Sequence, residues 1–541
     1  MKRGSRLLVA AAVLAALVVA ATFLGWFDRE GELPSFEAQA CALPGDYLLL
    51  TQRGYFEPRS GQISILPRTP AYMASGGGGW SHSGPWPYLQ DVPLVFYGPG
   101  VIEEPAEVDR PVTMADVAPT IMTMLRGSIQ TEDGESLDEA VRFSGRMLRK
   151  PPPKLIVTIV WDGGGWNTLR QWPDAWPNLA RLMEEGVSFT AAKVGSNPSV
   201  TPAVHTTLGT GVFPHAHGIT GVPMRDEEGV VVDAFLKGES SRFIQVPTIA
   251  ERWDEQNDNQ ALIGMFGYEP WHLGMIGQGA ERDDGDRDDA IWLDVETNEW
   301  ITNPDHYRLP PSVLESGGLE DDIAELDAAD GEVDRAWRGH EILDDPSRSE
   351  ETPAFVKYHG RTMMKMIADE GYGDDAITDL LFTNFKQIDR VGHYFNMASE
   401  EVRDALEETD RQLGEIVEFL DDEVGRERWA LIVTADHGQQ PDAEDVNGYG
   451  IDPREVEADI REEFGDVVRA VWPTEIFLLE DKMDELGVTV EEIARFVGDY
   501  RLADNTQRPD MLVGGAGRFH SQDRIFSMAI PAHLLPTLTC S

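Results

Sequence analysis

The chain has 541 residues, 41% of them hydrophobic, enough to build a sizeable packed core. Its 95 acidic residues outweigh 45 basic ones, giving a formal net charge of -50. Such a surface repels nucleic-acid polymers, which are not expected as partners, and anionic membrane surfaces, so contact with a membrane is expected only through an N-terminal anchor. An anionic substrate would need metal ions to reverse the local field.

Residues 7–27 form an uncharged apolar run preceded by Lys2, Arg3 and Arg6. Its length and flanks predict a transmembrane anchor with a cytoplasmic tip (1–28) and an exported remainder. The alternative is a secreted protein released by cleavage after Ala38-Gln39-Ala40, well beyond the apolar run. Residues 29–41 read as a polar tether. The two cysteines, Cys41 and Cys540, are expected to pair in an exported chain. That bridge would close a loop of about 500 residues, on the order of 5 kcal/mol in the chain-entropy account. Two free thiols at the chain ends are the alternative.

Residues 42–130 are mixed. They include a glycine-rich turn at Gly76–Gly79, a strand-like run at Val92–Tyr97 and a short helical stretch at Met114–Leu125. Residues 131–153 carry charge and end in three prolines, as a linker would. From Lys154 to the end, apolar strands alternate with amphipathic helices, as in a mostly parallel sheet. Residues 223–355, rich in Asp, Glu and Gly, read as a cap insertion over the site. Within them Asp283–Asp289 lacks the sixth-position Gly and twelfth-position Glu of an EF-hand loop, and reads as a solvated acidic loop.

Three strands each deliver an aspartate near the carboxyl edge where α/β sheets bind ligands. Leu155–Val160 runs into Asp162 and three glycines. Leu380–Phe382 leads to Asp389 and His393. Leu431–Val433 runs into Asp436-His437-Gly438. Hard oxygen and imidazole donors together form a metal constellation that suits zinc first and manganese second. Thr201, followed by Pro202, is expected to cap a helix that starts there, where its hydroxyl meets free backbone N–H groups.

The stretch from Val160-Trp161-Asp162-Gly163 through Ser199-Val200-Thr201-Pro202 to His217-Gly218-Ile219, with the later IDRVGH and TADHG motifs, resembles the alkaline phosphatase superfamily. It is most similar to the type I phosphodiesterase/nucleotide pyrophosphatase branch. The resemblance implies an α/β doubly wound sandwich. Asp162, Thr201, Asp436 and His437 would hold one metal, and Asp389 and His393 the other, with one more histidine. That family places the last histidine late. Here the best match comes early, at His82, which implies a circularly permuted first segment (42–130) ahead of a catalytic domain at 154–541. His520 is the alternative in the unpermuted order.

The same resemblance implies in-line attack by Thr201, a phosphothreonine intermediate and its hydrolysis. Val222 stands where the branch has a phosphate-gripping Asn, and the cations that favour monoesters are not evident. A diester or pyrophosphate is therefore expected ahead of a monoester. His272 and Lys386 are the remaining candidates for binding substrate. Trp80, Trp86 and Trp271 are candidates for lining the pocket. A membrane-anchored phosphotransferase acting on a lipid or glycan, and a catalytically reduced surface-binding protein, are the alternatives.

Overall fold

The computed structural model describes residues 31–74, 80–102, 104–129, 131–141, 151–505 and 518–540. The apolar run at 7–27 and the Gly76–Gly79 turn lie outside them. Among the described residues no helix is long and apolar enough to cross a membrane.

A nine-stranded sheet organises the larger part. Its order is Glu299–Ile301, Asp289–Asp294, Ile263–Phe266, Asp379–Phe385, Leu155–Trp161, Trp429–Thr434, Leu94–Tyr97, Val187–Phe189 and Ala106–Val108. The five strands from Asp289–Asp294 to Trp429–Thr434 are mutually parallel. Leu94–Tyr97 joins antiparallel beside Trp429–Thr434.

Both faces are covered, so the central strands are apolar on both sides. Ile156, Val160, Phe382 and Ile432 pack with the helices Val117–Met124 and Thr201–Thr210 on one face. Val157, Ile159, Leu381 and Val433 pack with Pro353–Glu370 and Glu400–Leu420 on the other. This is the expected doubly wound α/β sandwich. The helix Glu400–Leu420 spans the predicted residues, started by the Ser399 side chain accepting from the Val402 N–H.

A second, four-stranded antiparallel sheet interleaves both ends of the chain, in the order Val468–Trp472, Glu475–Leu478, Ile63–Pro67 and Phe526–Pro531. The predicted bridge between Cys41 and Cys540 is formed beside it, across 499 residues of sequence.

Two expectations about organisation change. Residues 223–355 do not form a separate cap. They supply the strands Ile263–Phe266, Asp289–Asp294 and Glu299–Ile301 to the central sheet. These strands are short and set among acidic loops, so no long periodic run announces them. The stretch read as a linker is partly core: Leu137, Ala140 and Val141 are buried against the Val117–Met124 side.

Candidate functional site

Sheet register brings the acidic groups together. Asp379–Phe385 pairs in step with Leu155–Trp161 from end to end, and Trp429–Thr434 flanks the same strand on its other side. The chain therefore emerges from three adjacent strands at one edge, carrying Asp162, Lys386 with Asp389, and Asp436 with His437. Gly165 lets two of these loops touch: a Cβ there would lie 2.5 Å from the Gly438 Cα.

Two clusters result. Asp162, Asp436 and His437 form the first, with His437 Nε2 3.4 Å from Asp162 and 3.5 Å from Asp436. His82, Asp389 and His393 form the second, with Nε2 of His82 and His393 at 3.7 Å and 3.3 Å from Asp389 Oδ1. The His82 and His437 rings stack at 3.6 Å, so the clusters adjoin.

The three imidazoles share one arrangement. Nδ1 of His82, His393 and His437 faces the carbonyls of Ser199, Trp80 and Gly438 respectively. Donation to those carbonyls fixes the tautomer that leaves Nε2 as a lone-pair donor, as metal-binding histidines require. Asp162 Oδ1, Asp436 Oδ2 and His437 Nε2 are buried and make no hydrogen bond. Buried polar atoms without partners are costly, and a cation between them would satisfy all three. The residues thus fit two divalent ions.

Thr201 is the first residue of the helix Thr201–Thr210, with Val200 rather than Thr201 in the capping position. Its hydroxyl lies 3.4 Å from Asp162 Oδ2 and 3.2 Å from Lys386 Nζ. Lys386, expected near Asp389, is buried between the clusters, 3.0 Å from Asp162 and 2.9 Å from Asp389. Burial alone would lower its pKa, but Asp162, Asp389 and Glu269 outweigh burial and hold the ammonium charged. Burial likewise opposes charge on His437, yet Asp436 and Asp162 raise its pKa to about 9 in the metal-free site.

The other candidates divide. His520 is exposed on the smaller lobe, its backbone N–H bonded to Asp523, and joins neither cluster. His272 is buried but turns away from the cavity: its Nδ1 lies 3.0 Å from Nδ1 of His205. His205, one helical turn after Thr201, faces Asp436 at 3.6 Å, and Asn384 donates to Asp162 at 3.0 Å. Neither His205 nor Asn384 was singled out in the sequence, although the i, i+4 spacing from Thr201 was a usable signal for the former.

A cavity of about 420 Å³ opens onto Thr201. Val222 and Trp271 form part of its wall, and the hairpin ending in Trp472 and Pro473 roofs it from the four-stranded sheet. Glu269 also lines it; burial pushes its carboxyl up to about 7 against the pull of Lys386 and Arg390. The roof was missed because nothing in the sequence links the hairpin to a site about 270 residues earlier.

Residues 156–511 match the family described as Type I phosphodiesterase / nucleotide pyrophosphatase. The chain belongs to this family. It is therefore a phosphoric ester hydrolase of the alkaline phosphatase superfamily. Alkaline phosphatase PafA of Elizabethkingia meningoseptica is 23% identical over 437 residues, covering 70% of this chain and 77% of that protein. A protein of Myroides odoratus named as a calcium-transporting ATPase is 22% identical over 407 residues, covering 63% and 72%. The crystal structure of wild-type PafA superposes with a TM-score of 0.54 at 20% identity, covering 64% of this chain and 76% of that one. That likeness supports the fold.

Proposed function

We propose that this family member cleaves phosphodiesters or pyrophosphates ahead of monoesters, with Thr201 as nucleophile and a phosphothreonine intermediate. The observation that carries the reading is the Thr201 hydroxyl at a helix N-terminus, 3.4 Å from Asp162 and beside two clusters of metal-type donors. Asp162, Asp436 and His437, with Thr201, would hold one divalent ion, and His82, Asp389 and His393 the other. When bound, these ions supply the Lewis acidity and positive charge that phosphoryl transfer demands.

The chain's own part is positioning and charge. Lys386 donates to the Thr201 oxygen while the hydroxyl proton points at Asp162. The Thr201 O–H proton is lost by way of Asp162, a bond forms between the Thr201 oxygen and phosphorus, and the bond to the leaving alcohol or phosphate oxygen breaks, that oxygen taking up a proton from solvent. The N–H groups of the first helical turn face the phosphoryl oxygens. Water later cleaves the phosphothreonine.

The ester preference rests on the cavity wall. Val222, Trp271, Val471 and Trp472 offer apolar surface for an organic substituent. Of the cations on the cavity wall, Lys386 and Arg390 are each held by two carboxylates and Arg454 is paired with Asp452, which leaves little positive charge for a monoester's second negative charge. The same reading keeps an N-terminal anchor and an outward-facing catalytic part, supported by the uncharged run at 7–27 and the Cys41–Cys540 bridge.

Acid quenching during turnover, followed by peptide mass spectrometry, tests the intermediate. A phosphate on Thr201 is expected. Turnover with no phosphate trapped at that residue, under single-turnover conditions, would refute it.

A further inference from the structure

Far from the catalytic edge, the acidic stretch before the Asp289–Asp294 strand meets the end of the helix Ile249–Gln256. Asp254, Asp286 and Asp288 each bring a carboxylate oxygen there, all within 4.8 Å of one another. Alternation along the extended segment accounts for the pair: residues two apart point the same way, so Asp286 and Asp288 share a face while Arg287 and Asp289 take the other.

The fate of the neighbouring charges separates this cluster from a solvated loop. Asp289 has its own cation, a bidentate Arg308 at 2.5 and 2.8 Å. Arg282, which is near, is committed to Glu251 at 2.5 Å. Asp254 and Asp288 are only 6% and 7% exposed, yet no described arginine, lysine or histidine pairs with either. Asp254 Oδ1 is buried and makes no hydrogen bond at all. Buried carboxylates crowded together without a counter-ion are strongly unfavourable. The polypeptide supplies no cation to this cluster among the described residues, so two ways of neutralising it are left: protons, since burial and mutual repulsion raise the Asp254 and Asp288 carboxyls, or a cation from solution that replaces them.

We propose that Asp254, Asp286 and Asp288 form a structural calcium site joining the Ile249–Gln256 helix to the Asp289–Asp294 strand. The donors are all oxygens, with no imidazole or thiolate, which selects a hard cation over zinc. They come from two separate elements and so impose no rigid octahedron, which favours calcium over magnesium. A cavity of about 310 Å³ beside Asp254, lined also by Asp258, Asn259 and Asp284, leaves room for water ligands. The site is independent of the phosphoesterase reading: it ties an edge of the central sheet to a helix on its face.

The test is calcium titration of the full-length, zinc-loaded protein by calorimetry, with thermal unfolding measured in parallel. Wild type should bind one calcium per chain and gain at least about 2 °C in Tm at saturation. The pair Asp254→Asn and Asp288→Asn should abolish both effects, keep the zinc content of wild type and, without calcium, be at least as stable as wild type. Asp286→Asn, at an exposed position, should weaken calcium binding at least about tenfold without harm to folding. Unchanged calcium stoichiometry and Tm gain in these variants would overturn the site. So would tighter binding of magnesium, or no calcium binding by wild type at millimolar concentration.

Discussion

Replacing Lys386 with methionine removes the one ammonium among the described residues that touches both metal-type clusters and the Thr201 hydroxyl. At 3.0 Å, an effective dielectric constant near 20 gives about 5 kcal/mol of attraction to each of Asp162 and Asp389. Most of this offsets the desolvation of buried ions, leaving roughly 3–5 kcal/mol as the cost of breaking the arrangement. For a 541-residue chain, with an unfolding entropy of about 1.1 kcal/mol/K, that is a loss of about 3–5 °C in Tm. The assay is thermal unfolding at pH 8, with chelator and with saturating zinc. The loss should appear in full with chelator and shrink with zinc, because the ions neutralise the same carboxylates. An equal loss in both conditions would refute the idea that Lys386 balances the metal-binding carboxylates.

Other consequences follow from individual contacts. His82→Ala should lose about one of two bound zinc equivalents, whereas His520→Ala should keep both; metal analysis after gel filtration separates them. Glu350 is buried and accepts from Tyr268 at 2.8 Å, and burial raises its carboxyl from 4.5 to about 7. A carboxyl with a raised native pKa favours the fold below pH 4.5 and loses that contribution as pH climbs through 7. Glu350→Gln should therefore stabilise the protein above pH 7 by up to about 3 kcal/mol, with the gain vanishing towards pH 4.5; denaturant unfolding across pH measures it. Breaking the Cys41–Cys540 bridge with Cys540→Ser should cost about 2–5 kcal/mol, read as a Tm drop that reductant reproduces in wild type.

The sequence carried the central layers well because strand, turn and ligand coincide there. Asp162, Asp389 and Asp436 each follow an apolar run, and the register of three parallel strands alone was enough to gather them. His82 was legible only through the family's motif order, since a histidine in a polar loop has no periodicity to report its partner. The burial of Lys386 was not legible: its neighbours Asn384, Phe385 and Gln387 give no sign of which way the chain turns as the strand ends. Residues 223–355 misled for a different reason. Their strands are three to six residues long and bordered by Asp and Gly, so composition suggested an excursion from the sheet where there is an edge of it. The acidic segment 283–289 was read through the EF-hand spacing alone, which cannot register a third carboxylate arriving from a helix about 30 residues earlier.

The most direct test of the central claim is hydrolysis of a chromogenic phosphodiester and the matching monoester by zinc-loaded protein, with Thr201→Ala and His82→Ala beside wild type. The account predicts turnover of both esters with kcat/KM higher for the diester, and a loss of at least about a hundredfold in each variant. Full activity in Thr201→Ala, or a preference for the monoester, would contradict it.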